Sequence, residues 1–153
     1  MVRMDALAPA MAQRMTDLVL PEVESIAWSE AKPLNEMRVA IVSSAGLHLK
    51  TDRPFFRGDV DYRVIPSDTD GADLFMSHVS SNYDRSGFQE DINVSFPIDR
   101  IRELAEEGFI GSVAKNHISF MGATDPTGME QKAKEAAAIL KEDNVDAVAL
   151  SGV

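Results

Sequence analysis

Apolar residues fall into two kinds of run along this chain. Met37 to Ser43 (MRVAIVS) is continuous and rich in β-branched residues, and Val145 to Leu150 (VDAVAL) is nearly so. Both read as buried strands. Tyr62 to Pro66 (YRVIP) and Ile118 to Met121, ended by Gly122, are shorter strand candidates, and Leu74 to Met76 is a third brief apolar stretch. Helical spacing marks the other kind. Ile98, Ile101, Leu104 and Ala105 share one face of a helix over Pro97 to Glu107, with Pro97 suited to a first helical position and Gly108 to the residue after the end. Ala133, Ala136, Ala137 and Leu140 form the buried face of a second helix running to about Glu142, opened by a Thr127/Glu130 capping box and closed by an Asp143–Asn144 turn. Leu7, Met11, Met15, Leu18 and Leu20 lie near helical spacing, interrupted by Pro9 and Pro21. They predict a helix from about Ala10 to Val19 whose apolar face docks on a core or a partner.

Strand, helix and strand in that order predict an α/β fold. The expected form is an open, mostly parallel sheet with flanking helices in Rossmann- or flavodoxin-like layering. The N-terminal helical segment spans 1–31 and the α/β domain 32–153. A final strand with no covering helix after it favours a sheet left incomplete at the C-terminus, so that 32–153 is the N-terminal part of a longer domain. The competing reading is a last strand that closes the sheet. Asp68, Asp70, Gly71 and Asp73 lack the ligand order of a calcium loop and read as turn and capping residues.

Composition narrows the function. The 153 residues suit one domain, and 44% apolar with 26% charged residues is ordinary for a globular protein. A net charge of −10 argues against phosphate backbones and anionic membrane surfaces. No run approaches the ~20 apolar residues of a spanning helix. No leader pattern is visible, which makes the cytoplasm the expected location. With no cysteine there is neither a disulfide nor a thiolate metal site, and without close His/carboxylate spacing no metal is expected.

Ligands of open α/β sheets gather beyond the carboxyl ends of the strands. Ser43, Ser44 and Gly46 follow the first strand, with His48 just beyond. Ser77 and His78 follow Leu74–Met76, and Ser151 and Gly152 follow the last strand. His117 falls at the opposite edge. His48 and His78 can carry protons near neutral pH. A lone histidine is more often a hydrogen-bonded structural residue. For His78, followed by Tyr83, Asp84 and Arg85, the structural and catalytic readings stand level. Arg85 could pair with a substrate carboxylate or with a surface acid. No G-x-S-x-G elbow supports a hydrolase, and no G-x-G-x-x-G a dinucleotide site.

The segment Leu74 to Gly122 (LFMSHVSSNYDRSGFQEDINVSFPIDRIRELAEEGFIGSVAKNHISFMG) combines Ser-His, Tyr-Asp-x-x-Gly, Asn-Val-x-Phe-Pro-Ile-Asp-Arg and Ile-Gly-Ser. Together with Lys32–Lys50 and Lys141–Val153 it resembles the selenoprotein B family of glycine, sarcosine, betaine and D-proline reductases, in spacing most like the small D-proline reductase subunit. The resemblance covers the chain beyond about Lys32. It implies an oxidoreductase subunit that cleaves a Cα–N bond reductively. The selenocysteine or cysteine nucleophile is expected just after Val153, which leaves this chain alone inactive. It implies no cofactor in this chain, a pyruvoyl group on a partner subunit, a thiol reductant and an oligomer. His78 becomes the candidate catalytic residue, and Ser44, His48, Tyr83, Asp84, Arg85, Ser151 and Gly152 the candidate substrate contacts. A glycine, sarcosine or betaine reductase subunit, or a non-catalytic α/β binding module, are the other readings.

Overall fold

The computed structural model describes residues 4–17, 19, 29–81 and 83–152. A short N-terminal helix, α1 (Pro9–Thr16), begins at a proline suited to its first turn and buries none of its own residues. It stops before Leu18, which with Leu20 and Trp28 lies outside the described residues.

The strand β1 (Arg38–Ser43) is the centre of the sheet. Its side chains alternate: Val39 and Ile41 enter one apolar cluster, while Ala40 enters another on the opposite face, with Val42 against it. On one flank β7 (Ala147–Ser151) runs parallel to it from Val39↔Ala147 to Ser43↔Ser151. On the other flank the partner is broken. The short β5 (Ser112–Val113) pairs at Val39↔Val113, and β6 (Asn116–Phe120) at Val42↔Ile118, both parallel. Three steps along β1, from 39 to 42, thus face five along its neighbour, from 113 to 118. An even excess keeps inward side chains inward; an odd one would turn Ile118 to the wrong face. β3 (Tyr62–Pro66) adds an antiparallel strand outside β6.

Two side chains satisfy the backbone groups at this break. The ring Nδ1 of His117 accepts the Ile41 N–H at 2.9 Å, and the Asp143 carboxylate accepts the Lys115 N–H. Asp143 also takes Arg38 at 2.7 Å, tying the end of the last helix to the start of β1. His117 is fully buried and meets Phe96 edge-on at 5.5 Å. Burial, with help from the nearby Arg102 charge, pushes its pKa down to about 4.

Helices cover both faces. α3 (Ile98–Glu106) lays Ile98 and Ile101 on the cluster of Val39, Ile41, Ile65 and Phe96. Pro97 stands just outside its start, and Gly108 follows its end at φ +72°. α4 (Glu130–Glu142) lays Ala136 and Leu140 on Ala40, Ala114 and Ile118, where the small residues allow close approach. Its expected capping box is absent. Asp125 instead caps a 3-10 turn, Pro126–Met129, that feeds the helix, because its side chain accepts both the Thr127 N–H and the Thr127 hydroxyl.

One expected strand belongs elsewhere. β4 (Leu74–Met76) does not join the parallel sheet but pairs antiparallel with β2 (Leu47–Leu49) in a separate two-stranded ribbon. A three-residue apolar run carries no signal of its partner. The helix α2 (Ser86–Glu90) is a brief connection, and the Asp84 carboxylate just before it accepts the Ser86 N–H at 2.9 Å. Among the described residues no helix is long and apolar enough to cross a membrane.

A histidine held neutral in the core makes stability depend on pH. The folded pKa lies below the unfolded value of 6.5, so the contribution is complete above pH 6.5 and is lost as pH falls towards 4. The unfolding free energy from urea titration should drop by roughly 3 kcal/mol across that window. The loss should persist in His78→Ala, which leaves His117 in place; a flat profile would show that His117 is not buried as a neutral ring.

Candidate functional site

The carboxyl ends of β1, β6 and β7 meet at one edge of the sheet. The Ser44 N–H donates to Ser151 O at 3.0 Å, and the Gly122 N–H to Ser44 O at 2.9 Å. Below them the Ser95 carbonyl accepts the hydroxyls of Ser43, at 2.8 Å, and Ser151, at 3.0 Å. Both serines thus hang from one oxygen, which fixes β1 against β7 where they end.

Two glycines allow the close packing above this edge. A Cβ on Gly122 would lie 2.8 Å from the Ser44 Cβ and carbonyl oxygen. Gly46, at φ +66°, would bring a Cβ within 2.9 Å of Met121 Cε and 3.2 Å of the His78 amide nitrogen. The small-residue loop after β1 therefore lets His78 reach the edge, although β4, which precedes His78, is not part of the main sheet.

Over this edge lies a cavity of about 1020 Å³. Ser44 and His78 line it, with Arg57, Gly122, Thr124 and Asp125 around them and Met11, Arg14 and Met15 of α1 on another wall. An adjoining recess of about 150 Å³ shares Ser44 and Phe120 and is lined by Ser151 and Gly152.

His78 is 6% exposed. Its Nδ1 accepts the Ser80 N–H at 3.3 Å, which puts the proton of the neutral ring on Nε2, an atom with no hydrogen-bond partner among the described residues. Burial first, and the Arg85 charge second, lower its pKa, so the ring is neutral at neutral pH. Tyr83 stands edge-on to it at 4.9 Å and shares a 2.6 Å hydrogen bond with the Ser95 hydroxyl. The chain from His78 through Tyr83 to Ser95 thus joins the histidine to the ends of β1 and β7.

The structure brings Ser44, His78, Tyr83, Ser151 and Gly152 to this edge. Arg85 is spent nearby: its guanidinium donates to the carbonyls of His78 and Ser80, and so braces the loop. Asp84 is exposed and caps Ser86. His48 sits apart in the two-stranded ribbon, its ring stacked on Phe75 at 6.2 Å and its Nδ1 2.8 Å from Leu49 O. Sequence reasoning missed Thr124 and Asp125, although both follow a candidate strand and its glycine. It also missed Arg14 and Arg57, for which no local pattern exists.

The family model described as glycine/sarcosine/betaine reductase selenoprotein B matches residues 10–153. D-proline reductase subunit gamma of Acetoanaerobium sticklandii is 40% identical over 140 residues, covering 89% of this chain and 57% of that protein. Sarcosine reductase complex component B subunit beta of Peptoclostridium acidaminophilum is 31% identical over 143 residues, covering 89% of this chain and 33% of that protein. The chain therefore spans little more than half of one relative and a third of the other. No solved structure matches the chain.

Removal of one hydroxyl tests the link beneath the site. Tyr83→Phe leaves the buried Ser95 hydroxyl without its tyrosine partner and should cost about 1–2 kcal/mol in chemical denaturation. An unchanged midpoint would mean that the hydroxyl pair carries no stability.

Proposed function

The chain belongs to the glycine/sarcosine/betaine reductase selenoprotein B family, and on that premise we propose that it forms part of a cytoplasmic enzyme of several chains, similar to D-proline reductase, that cleaves a Cα–N bond. The observation that carries this reading is a buried, neutral His78 at a cavity above the ends of β1, β6 and β7, in a chain 40% identical to a D-proline reductase subunit. The match to a sarcosine reductase subunit favours a second reading, a glycine, sarcosine or betaine reductase subunit with the same chemistry.

Reductive cleavage forms a bond from the nucleophile to Cα while the Cα–N pair moves onto nitrogen, which takes a proton. Two thiols then supply the two electrons that release the product and regenerate the nucleophile. A pyruvoyl carbonyl on a partner subunit would supply the electrophile for the substrate nitrogen, and a selenol or thiol following residue 153 in the complete protein the nucleophile. The cavity, at about 1020 Å³, is larger than one small amino acid requires and leaves room for a group from another chain.

This chain's share is to bind, orient and move a proton. His78 carries its proton on Nε2, and with its pKa lowered by burial the imidazolium it forms returns a proton more readily than an ordinary one. Tyr83 and Arg85 fix the ring and its loop. Ser44 stands at the junction of the cavity with the recess at the end of β7, so a nucleophile beyond that strand would enter beside it.

Turnover assays on D-proline, sarcosine, glycine and betaine with a dithiol reductant test the proposal. The complete enzyme should reduce one of them, and the 153-residue chain alone should reduce none. His78→Ala in the complete enzyme should lower turnover about 10²–10⁴-fold with the fold intact. Normal turnover in that variant would remove His78 from the chemistry, and robust turnover by the isolated chain would overturn the division of roles.

A further inference from the structure

Six of the eight described arginines have a partner. Arg38 pairs with Asp143, Arg53 and Arg63 with Asp59, Arg100 with Glu103, and Arg102 with Asp99. Arg85 is held by carbonyls. Arg14 on α1 and Arg57 in the loop before β3 are the exceptions: among the described residues neither makes an ion pair or a side-chain hydrogen bond. Both line the 1020 Å³ cavity. In a chain with 25 acidic against 15 basic residues, carboxylates are in surplus, so two arginines without one at the same cavity are not explained by a shortage of partners.

The rest of the wall agrees in character. Asp125, the acidic lining residue, gives its carboxylate to the Thr127 N–H and hydroxyl and pairs with neither arginine. Met11, Met15, Met121, Met129 and Phe120 make much of the remaining surface apolar, and thioether chains adapt to small aliphatic bodies. Free cationic donors beside an apolar wall fit a small carboxylate with a hydrocarbon body. A planar guanidinium matches a carboxylate fork to fork.

Building on the reductase reading above, we propose that Arg14 and Arg57 form the carboxylate pocket of this site, gripping an α-amino acid substrate by its carboxylate while the methionine-rich wall takes its carbon skeleton. Arg14 reaches the site only through α1, so the N-terminal helix is part of the substrate site and not a separate module. Arg85, by contrast, is occupied and acts on the loop.

Isothermal titration of the full chain with D-proline, sarcosine and D-prolinamide decides the matter without turnover. At least one of the two carboxylate ligands should bind, and D-prolinamide, which lacks the carboxylate, should bind about tenfold or more weaker than D-proline wherever D-proline binds. Arg14→Gln and Arg57→Gln should each weaken carboxylate binding about tenfold or more, while the surface variant Arg100→Gln should not. Arg14→Lys and Arg57→Lys, which keep the charge but lose the fork, should recover part of the loss. Binding by both glutamine variants equal to wild type would overturn the pocket, as would D-prolinamide binding as tightly as D-proline, or no carboxylate binding to the folded chain. Arginine-dependent binding of sarcosine but not D-proline supports the pocket and shifts the reading to the sarcosine-type subunit. Arginine-dependent binding without Cα–N cleavage by the complete enzyme supports the pocket and removes only the reductase reading.

Discussion

The break in the strand beside β1 is the constraint on which the rest of this structure depends. A parallel strand at the centre of a sheet must hydrogen-bond on both flanks, and a buried N–H without a partner costs on the order of 1–3 kcal/mol. Between β5 and β6 the neighbour slips by two residues, and the lost ladder contact of Ile41 is replaced by the His117 ring. That substitution requires an acceptor at Nδ1, hence a neutral ring, hence a dry pocket, which Phe96 and the covering helix provide. Asp143 does the same for Lys115 while binding Arg38, so α4 is locked to the sheet at the same point. With that lock in place the slip carries β6 forward to present Met121, Gly122 and the following Ala123–Asp125 segment at the site edge.

The site inherits its rigidity from hydrogen bonds to carbonyls and between hydroxyls rather than from ion pairs. The Ser95 carbonyl anchors Ser43 and Ser151, its own hydroxyl holds Tyr83, and Tyr83 backs His78. Each of these residues is short or planar and loses little conformational freedom when fixed. The glycines at 46 and 122 matter for the same reason, since any Cβ there would push Met121 or Ser44 out of place. A histidine held this way keeps one tautomer, and the atom left without a partner is the protonated Nε2.

β1, β3, α3 and α4 were legible because their patterns are local: the two strands have apolar residues on both faces and read as short continuous runs, and each helix lays one apolar stripe on the sheet. The edge rule likewise pointed to Ser44, His78, Ser151 and Gly152, which lie at the sheet edge. His78 reaches it by a different route from the one the rule assumed: Leu74–Met76 lies in an antiparallel ribbon, and the approach depends on the absence of a side chain at Gly46, a contact between residues far apart in sequence. His48 looked equivalent to His78 in sequence. It differs because β2 turns its ring onto Phe75, which a three-residue strand cannot announce. The capping residue is Asp125 and it caps the 3-10 turn ahead of α4, because that turn lengthens the helix entry, and a capping-box pattern does not distinguish the two starts. Arg14 and Arg57 carried no local signal, because what sets them apart is the lack of a partner at the cavity they line.

Charge explains why such a failure can be useful. A zwitterionic amino acid carries no net charge, so the −10 of the whole chain exerts little net pull or push on it at long range. At about 10 Å, the screening length in ~0.1 M salt, the overall charge has largely faded. Recognition then rests on the few charges that the ligand meets directly. A paired guanidinium offers little there, because its donors and its field are already used by the neighbouring acid. Five of the described arginines are used in this way on the framework, and a sixth, Arg85, is used by carbonyls of its loop. The acidic side chains supply partners to five of those arginines, while Arg14 and Arg57, which have none, keep their donors free at the cavity above the sheet edge.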